Sequence, residues 1–307
     1  MPDSIIDEAV RVLRAGGVVA LPTETVYGLA ADAANLAAVR RVFTIKGRPP
    51  DHPLIVHVPN AQALARYAAG DPPALRRLAE RFWPGPLTAI VRKTDFVSDI
   101  VTGGQPTVAL RIVDHALTQA ILERFGGAVA APSANRFGRI SPTTAQHVRD
   151  DLGSEVDLIV DGGPARIGVE STIIDLTGDV PAILRAGVIG PTALGDALGV
   201  PVITRVGGPV RAPGTLTAHY APRVPLVLAS AAALDREAYR RAQQGERVGI
   251  LTLPTEAAAA ARELYATLRA LDAAGYDVVL AVLPPDVEAN AAVRDRLMRA
   301  AASETAT

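Results

Sequence analysis

Apolar positions along the first 200 residues change period often, between the spacing of a helix and that of a strand. Ile6, Val10 and Leu13 share one face of a predicted helix over residues 4–15, with Ser4 as its cap and Gly16-Gly17 as its stop. A strand over 18–21 follows, then the stretch PTETVYGLAADA at 22–33, which fits neither period. Further helices are predicted over 35–45, 61–69, 73–82, 115–125 and, opened by Pro142, close to 142–152. Apolar runs predict strands at 53–58, 87–92, 107–112, 128–131, 157–160, 170–176 and 181–185. So many strands in irregular order imply a large, twisted mixed sheet.

Residues 201–225 carry Pro and Gly at intervals that interrupt any period, so this segment reads as a linker, long enough to suggest a use. Beyond it, VPLVLA, VGILTL and VVLAVL alternate with helical stretches at 231–243, 255–273 and 285–301. That order predicts a small parallel sheet of Rossmann-like layout. It lacks the Gly-x-Gly-x-x-Gly turn, so nothing supports a dinucleotide site there.

With 49% apolar and 21% charged residues the chain can bury a sizeable core, and its 307 residues suit two domains. The absence of cysteine removes disulfides, thiolate metal sites and cysteine nucleophiles together. Charges among the first fifteen residues leave no signal-peptide core, and no uncharged run reaches the roughly 18 residues of a membrane span, so a cytoplasmic protein is expected. A net charge of -1 with 4% aromatic residues argues against the alternative of an RNA-binding module. A catalytically silent ligand binder is the second alternative.

No phosphate-binding Gly-x-x-x-x-Gly-Lys loop, serine-nucleophile elbow or His-Glu-x-x-His pair is present, and the five histidines are scattered singly. Lys46, one of only two lysines, reads on position alone as an exposed helix-end cation. What remains is a set of loops at strand ends that offer hydroxyls or cations. PTETVYG brings Thr25; KGRPPDHPLIVH brings Lys46, Arg48, His52 and His57; TVALRI puts Thr107, Ala109 and Arg111 on one face of a strand. APSANRFGRIS adds Ser133, Asn135 and Ser141, while GVESTIID and ILRAG add Ser171 and Arg185. Cations gathered without matching acids would repel one another unless an anionic ligand compensates, and a polyphosphate plus a carboxylate would suffice.

These segments, together with FWPGPLT and RAPGTLTAHYAP, resemble the threonylcarbamoyl-AMP synthase family in its two-domain form, almost continuously over residues 5–225 and more weakly beyond. The resemblance implies a YrdC-like catalytic domain over 1–200, a linker over 201–224 acting as a lid, and a Rossmann-like domain over 225–307. It implies condensation of L-threonine, bicarbonate and ATP into threonylcarbamoyl-AMP and pyrophosphate, for transfer by other proteins to a tRNA adenosine next to the anticodon. Strong direct tRNA binding and membrane association are not expected. Carried over by residue, the threonine site would comprise Thr25, His57, Arg111, the backbone at Ala131, and Ser171. ATP would be held by Lys46, Arg48, His52, Thr107, Ser133, Asn135, Ser141, Arg185 and Tyr220, with Lys46, Arg48 and Arg111 catalytic. Magnesium would be held mainly by the ATP phosphates, with no protein ligand named. Because the threonine amine must be neutral to react, its pocket is expected to present hydroxyls and carbonyls in place of carboxylates.

Overall fold

The computed structural model describes residues 2–205, 207, 211–216 and 218–302. Ten strands form one mixed sheet: β1 (Val19–Leu21), β2 (Gly28–Asp32), β3 (Ile55–His57), β4 (Leu87–Arg92), β5 (Thr107–Arg111), β6 (Val129–Ala130), β7 (Leu158–Ile159), β8 (Thr172–Asp175), β9 (Ala182–Arg185) and β10 (Ile203–Thr204). Their spatial order is β10-β9-β8-β4-β5-β3-β6-β2-β1-β7. Around them lie α1 (Pro2–Arg14), α2 (Leu36–Lys46), α3 (Pro73–Phe82), α4 (Asp99–Thr102), α5 (Ala116–Phe125), α6 (Ala145–Leu152) and α7 (Pro191–Leu198). The C-terminal part is a parallel three-stranded sheet of β11 (Leu226–Ala229), β12 (Val248–Leu251) and β13 (Val278–Val282), with β13 central, and helices α8 (Leu234–Gln243), α9 (Ala257–Ala273) and α10 (Ala291–Ala301).

The two faces of the large sheet do different work, and side-chain alternation decides which residue serves which. On β3 and β5, Val56, Val108 and Leu110 point into a core shared with Leu78 of α3 and Leu194 of α7. Ile55 and Ala109 point the other way, into a smaller cluster with Ile173 and Ala212. That second face carries His57 and Arg111, which are direct register partners across β3 and β5. Arg185 joins them through an irregularity. Ile174 pairs with Ile183 but Ile173 pairs with Arg185, so Leu184 is an extra residue and the register shifts there. A bulge of this kind re-aims the following side chain, here from the core side to the side of Ile173.

Several sequence expectations are corrected. Strand β2, in which Gly28, Leu29, Ala30 and Ala31 are buried on both sides, arises within the stretch that showed no period. Helix α1 begins at Pro2, so Ser4 lies inside its first turn, past the expected start. Helix α6 starts at Ala145 with Thr144 as its cap, accepting from the His147 N–H, while the carbonyl of Pro142 accepts the Tyr27 N–H. The stretch at 61–69 is a 3-10 helix over Ala61–Arg66, and α4 and α7 are additional elements. Strand β10 pairs in parallel with β9, which carries the large sheet past residue 200 to Thr204 and into the expected linker. Of that linker, residues 206, 208–210 and 217 lie outside the described residues, as do 303–307 of the C-terminal domain.

The two parts share a core. Leu264, Tyr265 and Leu297 of the C-terminal helices pack with Val26, Ile140 and Val169 of the first domain and with Tyr220 of the connecting segment. Gly168, with φ +85°, makes that approach possible: a Cβ there would stand 2.5 Å from Cα of Arg262 on α9.

Candidate active site

A cleft opens on the second face of the large sheet, at the ends of β3, β5 and β9, and the connecting segment lies across it. Thr25, Arg48, His57, Arg111, Ala131 and Ser133 line it from the first domain. Glu170 and Arg185 form another wall, and Pro213, Gly214, His219 and Tyr220 cover it.

Arg111 is buried, and its guanidinium is held from three sides. Nε donates to the Gly85 carbonyl at 3.2 Å, and Nη2 donates to Thr25 Oγ1 at 2.9 Å. Glu24 Oε1 lies 2.8 Å from the same Nη2, an ion pair in which both side chains are almost wholly buried. The angles at this contact do not make a hydrogen bond, and both Glu24 oxygens lack a hydrogen-bonded partner. The pair is therefore held by charge, and Thr25 takes the directed bond. Thr25 is itself fixed by Thr23, whose Oγ1 lies 2.9 Å away and donates to the Val26 carbonyl. Opposite Arg111, burial and then the Arg111 cation push His57 down to about 3, so its ring is neutral at physiological pH. The backbone N–H of Ala131 donates to the Ile55 carbonyl, which sets that strand end beside His57.

The basic end is built from the end of α2. Asn35 caps the helix start by accepting from the N–H groups of Ala37 and Ala38, and Gly47, at φ 63°, ends it. Lys46 sits in the last turn but is buried, contrary to the exposed cation expected: Nζ donates to the carbonyls of Ser133 at 2.6 Å and Asn135 at 2.5 Å. Burial, then neighbouring Arg48, lowers its ammonium well below the ordinary lysine range. Arg48 donates to the Pro53 carbonyl at 2.9 Å and stays charged, lowered by burial to about 10. Arg185 binds the Ser171 carbonyl through Nε and Nη2, Ser171 Oγ through Nη2, and the Pro213 carbonyl through Nη1. Ser171 Oγ also meets Thr88 Oγ1 at 2.7 Å.

The remaining sequence-predicted residues lie around this cleft. Ser141 donates to Glu170 at 2.5 Å. Asn135 donates to the carbonyls of Arg136 and Arg139, and its buried Oδ1 has no partner. His52 is half-buried with its ring edge-on to Phe137, and Thr107 is buried on the Arg111 face of β5; neither lines the cleft. Tyr220 is 1% exposed, has φ 62°, and reaches Gly214, whose own φ of 73° leaves no room for a Cβ beside the Tyr220 hydroxyl.

The acids were not foreseen. The expectation of cations without matching carboxylates is overturned by Glu24 and Glu170, buried at opposite ends of the site. Glu24 lay in plain sight in PTETVYG, and Glu170 precedes Ser171, but nothing in their spacing tied them to Arg111 or to Arg185. Burial would raise Glu170, but Arg296 and Arg185 outweigh it and hold it at about 2. His219, another lining residue, is pushed down to about 3 by burial.

Two family models match the chain: one described as "Telomere recombination" over residues 11–187, and one described as "Threonylcarbamoyl-AMP synthase, C-terminal domain" over 190–302. Among curated proteins, the threonylcarbamoyl-AMP synthase of Bacillus subtilis is 39% identical across 97% of this chain and 93% of its own length. Among solved structures, Pyrococcus abyssi Sua5 complexed with L-threonine superposes with a TM-score of 0.92 at 36% identity, covering 96% of this chain and 94% of that one. A second structure of the same protein, with an adjacent histidine and tyrosine replaced by alanine, superposes at 0.90. With both domains matched and in order, the chain belongs to the threonylcarbamoyl-AMP synthase family.

Proposed function

We propose that this chain condenses L-threonine, bicarbonate and ATP into threonylcarbamoyl-AMP and pyrophosphate, in the cytoplasm, for use by tRNA-modifying transferases. The observation that carries the reading is the meeting of two cationic ends in one covered cleft, Arg111 at one and Arg48 and Arg185 at the other, with Lys46 buried behind the Ser133 wall. An amino acid carboxylate suits the first and a polyphosphate the second. The relative from P. abyssi was crystallised with L-threonine, which supports the first assignment.

At the threonine end, Arg111 Nη1 makes no hydrogen bond within the described residues and is free to meet a carboxylate; Nε and Nη2 are spent on holding the guanidinium in place. Glu24 does not compete for the amine, because its charge is matched by Arg111. Neutral His57, the Thr25 hydroxyl and the backbone at Ala131 favour a neutral amine, the form whose lone pair adds to the carbon of bicarbonate or the carbon dioxide derived from it. On bicarbonate a C–O bond breaks and water leaves as the N–H proton is lost; on carbon dioxide the N–H proton passes to solvent. The new carbamate oxygen then attacks the α-phosphorus of ATP, the bond to the bridging oxygen breaks, and pyrophosphate leaves. No enzyme nucleophile is needed. The residues act by alignment and by neutralising oxygen charge as it shifts to the leaving group.

Arg48 and Arg185 would face the phosphates, with Ser133 on the wall beside the nucleotide and Lys46, Ser141, Asn135, Thr107 and His52 supporting that wall from outside the lining. Magnesium enters as part of the MgATP substrate. Its ligands would be mainly phosphate oxygens and water. The test is pyrophosphate release with each substrate omitted in turn. The reading requires release only when threonine, bicarbonate and MgATP are all present, and release that ignores threonine would overturn it.

A further inference from the structure

The C-terminal domain reaches the cleft through buried side chains of α9 and α10. Arg296 of α10 has a side-chain exposure of 0%. Its Nε donates to Glu170 Oε2 at 2.8 Å, and its Nη1 donates to the Ala186 carbonyl at 2.9 Å, one residue beyond Arg185. Its guanidinium also lies over the Tyr220 ring, 5.0 Å from the centroid. From α9, the Tyr265 hydroxyl donates to the same Glu170 carboxylate, at 2.9 Å from Oε2. Glu170 in turn accepts from Ser141 and lines the cleft. One turn along α10, the Arg299 carbonyl accepts the His219 N–H at 3.2 Å, and its guanidinium donates to the Leu216 carbonyl.

Holding two domains together does not call for this arrangement. A buried ion pair stabilises no better than apolar side chains of the same volume, and an apolar core already joins the domains here. What the pair adds is direction. Of the polar and ring contacts of Arg296 outside its own helix, those to Glu170 and Tyr220 fall on the wall and the cover of the cleft, and the one to Ala186 falls on the residue after the lining Arg185.

We propose that Arg296, with Tyr265, is a positioning residue for the nucleotide: it fixes the Glu170 carboxylate and through it Ser141, it holds the backbone at Ala186 next to Arg185, and it seats Tyr220 over the cleft. The C-terminal domain is then a built part of the ATP subsite. This rests on the reading of the cleft as the adenylate-forming site.

The experiment uses the full-length chain with Arg296→Gln, Tyr265→Phe and the double variant Glu170→Gln/Arg296→Gln, which leaves no lone buried charge if the single variant fails to fold. Pyrophosphate release is measured against MgATP and against threonine, with hydrogen exchange of Ala212–Ala221 alongside. Arg296→Gln should lower kcat/KM for ATP about tenfold or more while the threonine KM stays within about twofold, and Tyr265→Phe should do the same more mildly. The double variant should be no worse than Arg296→Gln, as expected for residues acting through one contact. Exchange in the covering segment should rise while that of β13 does not. Kinetics indistinguishable from wild type, or losses equal for both substrates that follow the melting temperature, would overturn the proposal. If the wild-type chain releases no pyrophosphate the proposed activity fails first, and unchanged exchange over Tyr220 in Arg296→Gln would still sink the positioning role.

Discussion

His57 and Arg111 face one another as register partners on β3 and β5, a neutral imidazole beside a guanidinium, both buried on the cleft side of the sheet. This pairing gives that end of the cleft one fixed cation, the one proposed to meet the threonine carboxylate. Replacing Arg111 by Ala should therefore raise the threonine KM by roughly 10- to 100-fold, the value of a charge-assisted hydrogen bond, and leave the ATP KM nearly unchanged. Steady-state kinetics with each substrate varied would check this; equal effects on both would remove Arg111 as the carboxylate partner.

Lys46 yields a different kind of prediction. Burial and Arg48 hold its ammonium well below the ordinary range, and a phosphate group placed beside it would raise it again. ATP binding should then take up protons over the pH range in which Lys46 titrates, and weaken as pH rises through it. Titration calorimetry in buffers of different ionisation enthalpy reads the uptake directly. Lys46→Met should abolish it, together with much of the affinity.

Tyr220 holds a strained backbone, φ 62° in a non-glycine residue, at a cost of roughly 1–2 kcal/mol. Such strain persists where neighbours over-determine it, here Gly214, Arg296 and Tyr265. Tyr220→Ala should weaken ATP binding about tenfold and spare threonine binding. Separately, Gly214→Ala should disturb the same cover, because its Cβ would stand 2.0 Å from the Tyr220 hydroxyl. Fluorescence titration with a nucleotide analogue distinguishes these outcomes.

How far the chain could be read follows from these residues. Alternation along β5 was legible, and with it the placing of Arg111 opposite Leu110, because polar and apolar residues differ sharply there. Strand β2 was not, since Gly28, Ala30 and Ala31 are small and buried on both faces and leave no period. The route by which Arg185 reaches the cleft depends on a bulge, which one strand cannot reveal without its partner. Glu170 and Arg296 are 126 residues apart, and only the packing of α10 against the first domain brings them together. Motifs local in sequence were thus visible, while the acids that balance the cations were not.

Stability should fall on acidification in two stages. His57 and His219 are lowered from 6.5 to about 3 by burial, so below pH 6.5 the unfolded chain binds protons that the native state refuses. The sign is a loss of stability as pH drops, at up to about 1.4 kcal/mol per pH unit for each histidine. His52 and His147 are lowered in the same direction. Below pH 4.5 Glu170, held at about 2, adds to the loss as the unfolded chain protonates first. Urea denaturation across pH 7 to 4.5 should show the first stage, and a His57→Asn/His219→Asn variant should flatten it.

The most direct measurement supplies labelled bicarbonate with L-threonine and MgATP and follows the label by chromatography. The account predicts one labelled adenylate, formed with an equal amount of pyrophosphate and absent when threonine or ATP is left out. Label that enters an adenylate without threonine, or pyrophosphate released with no label in the nucleotide product, would contradict it.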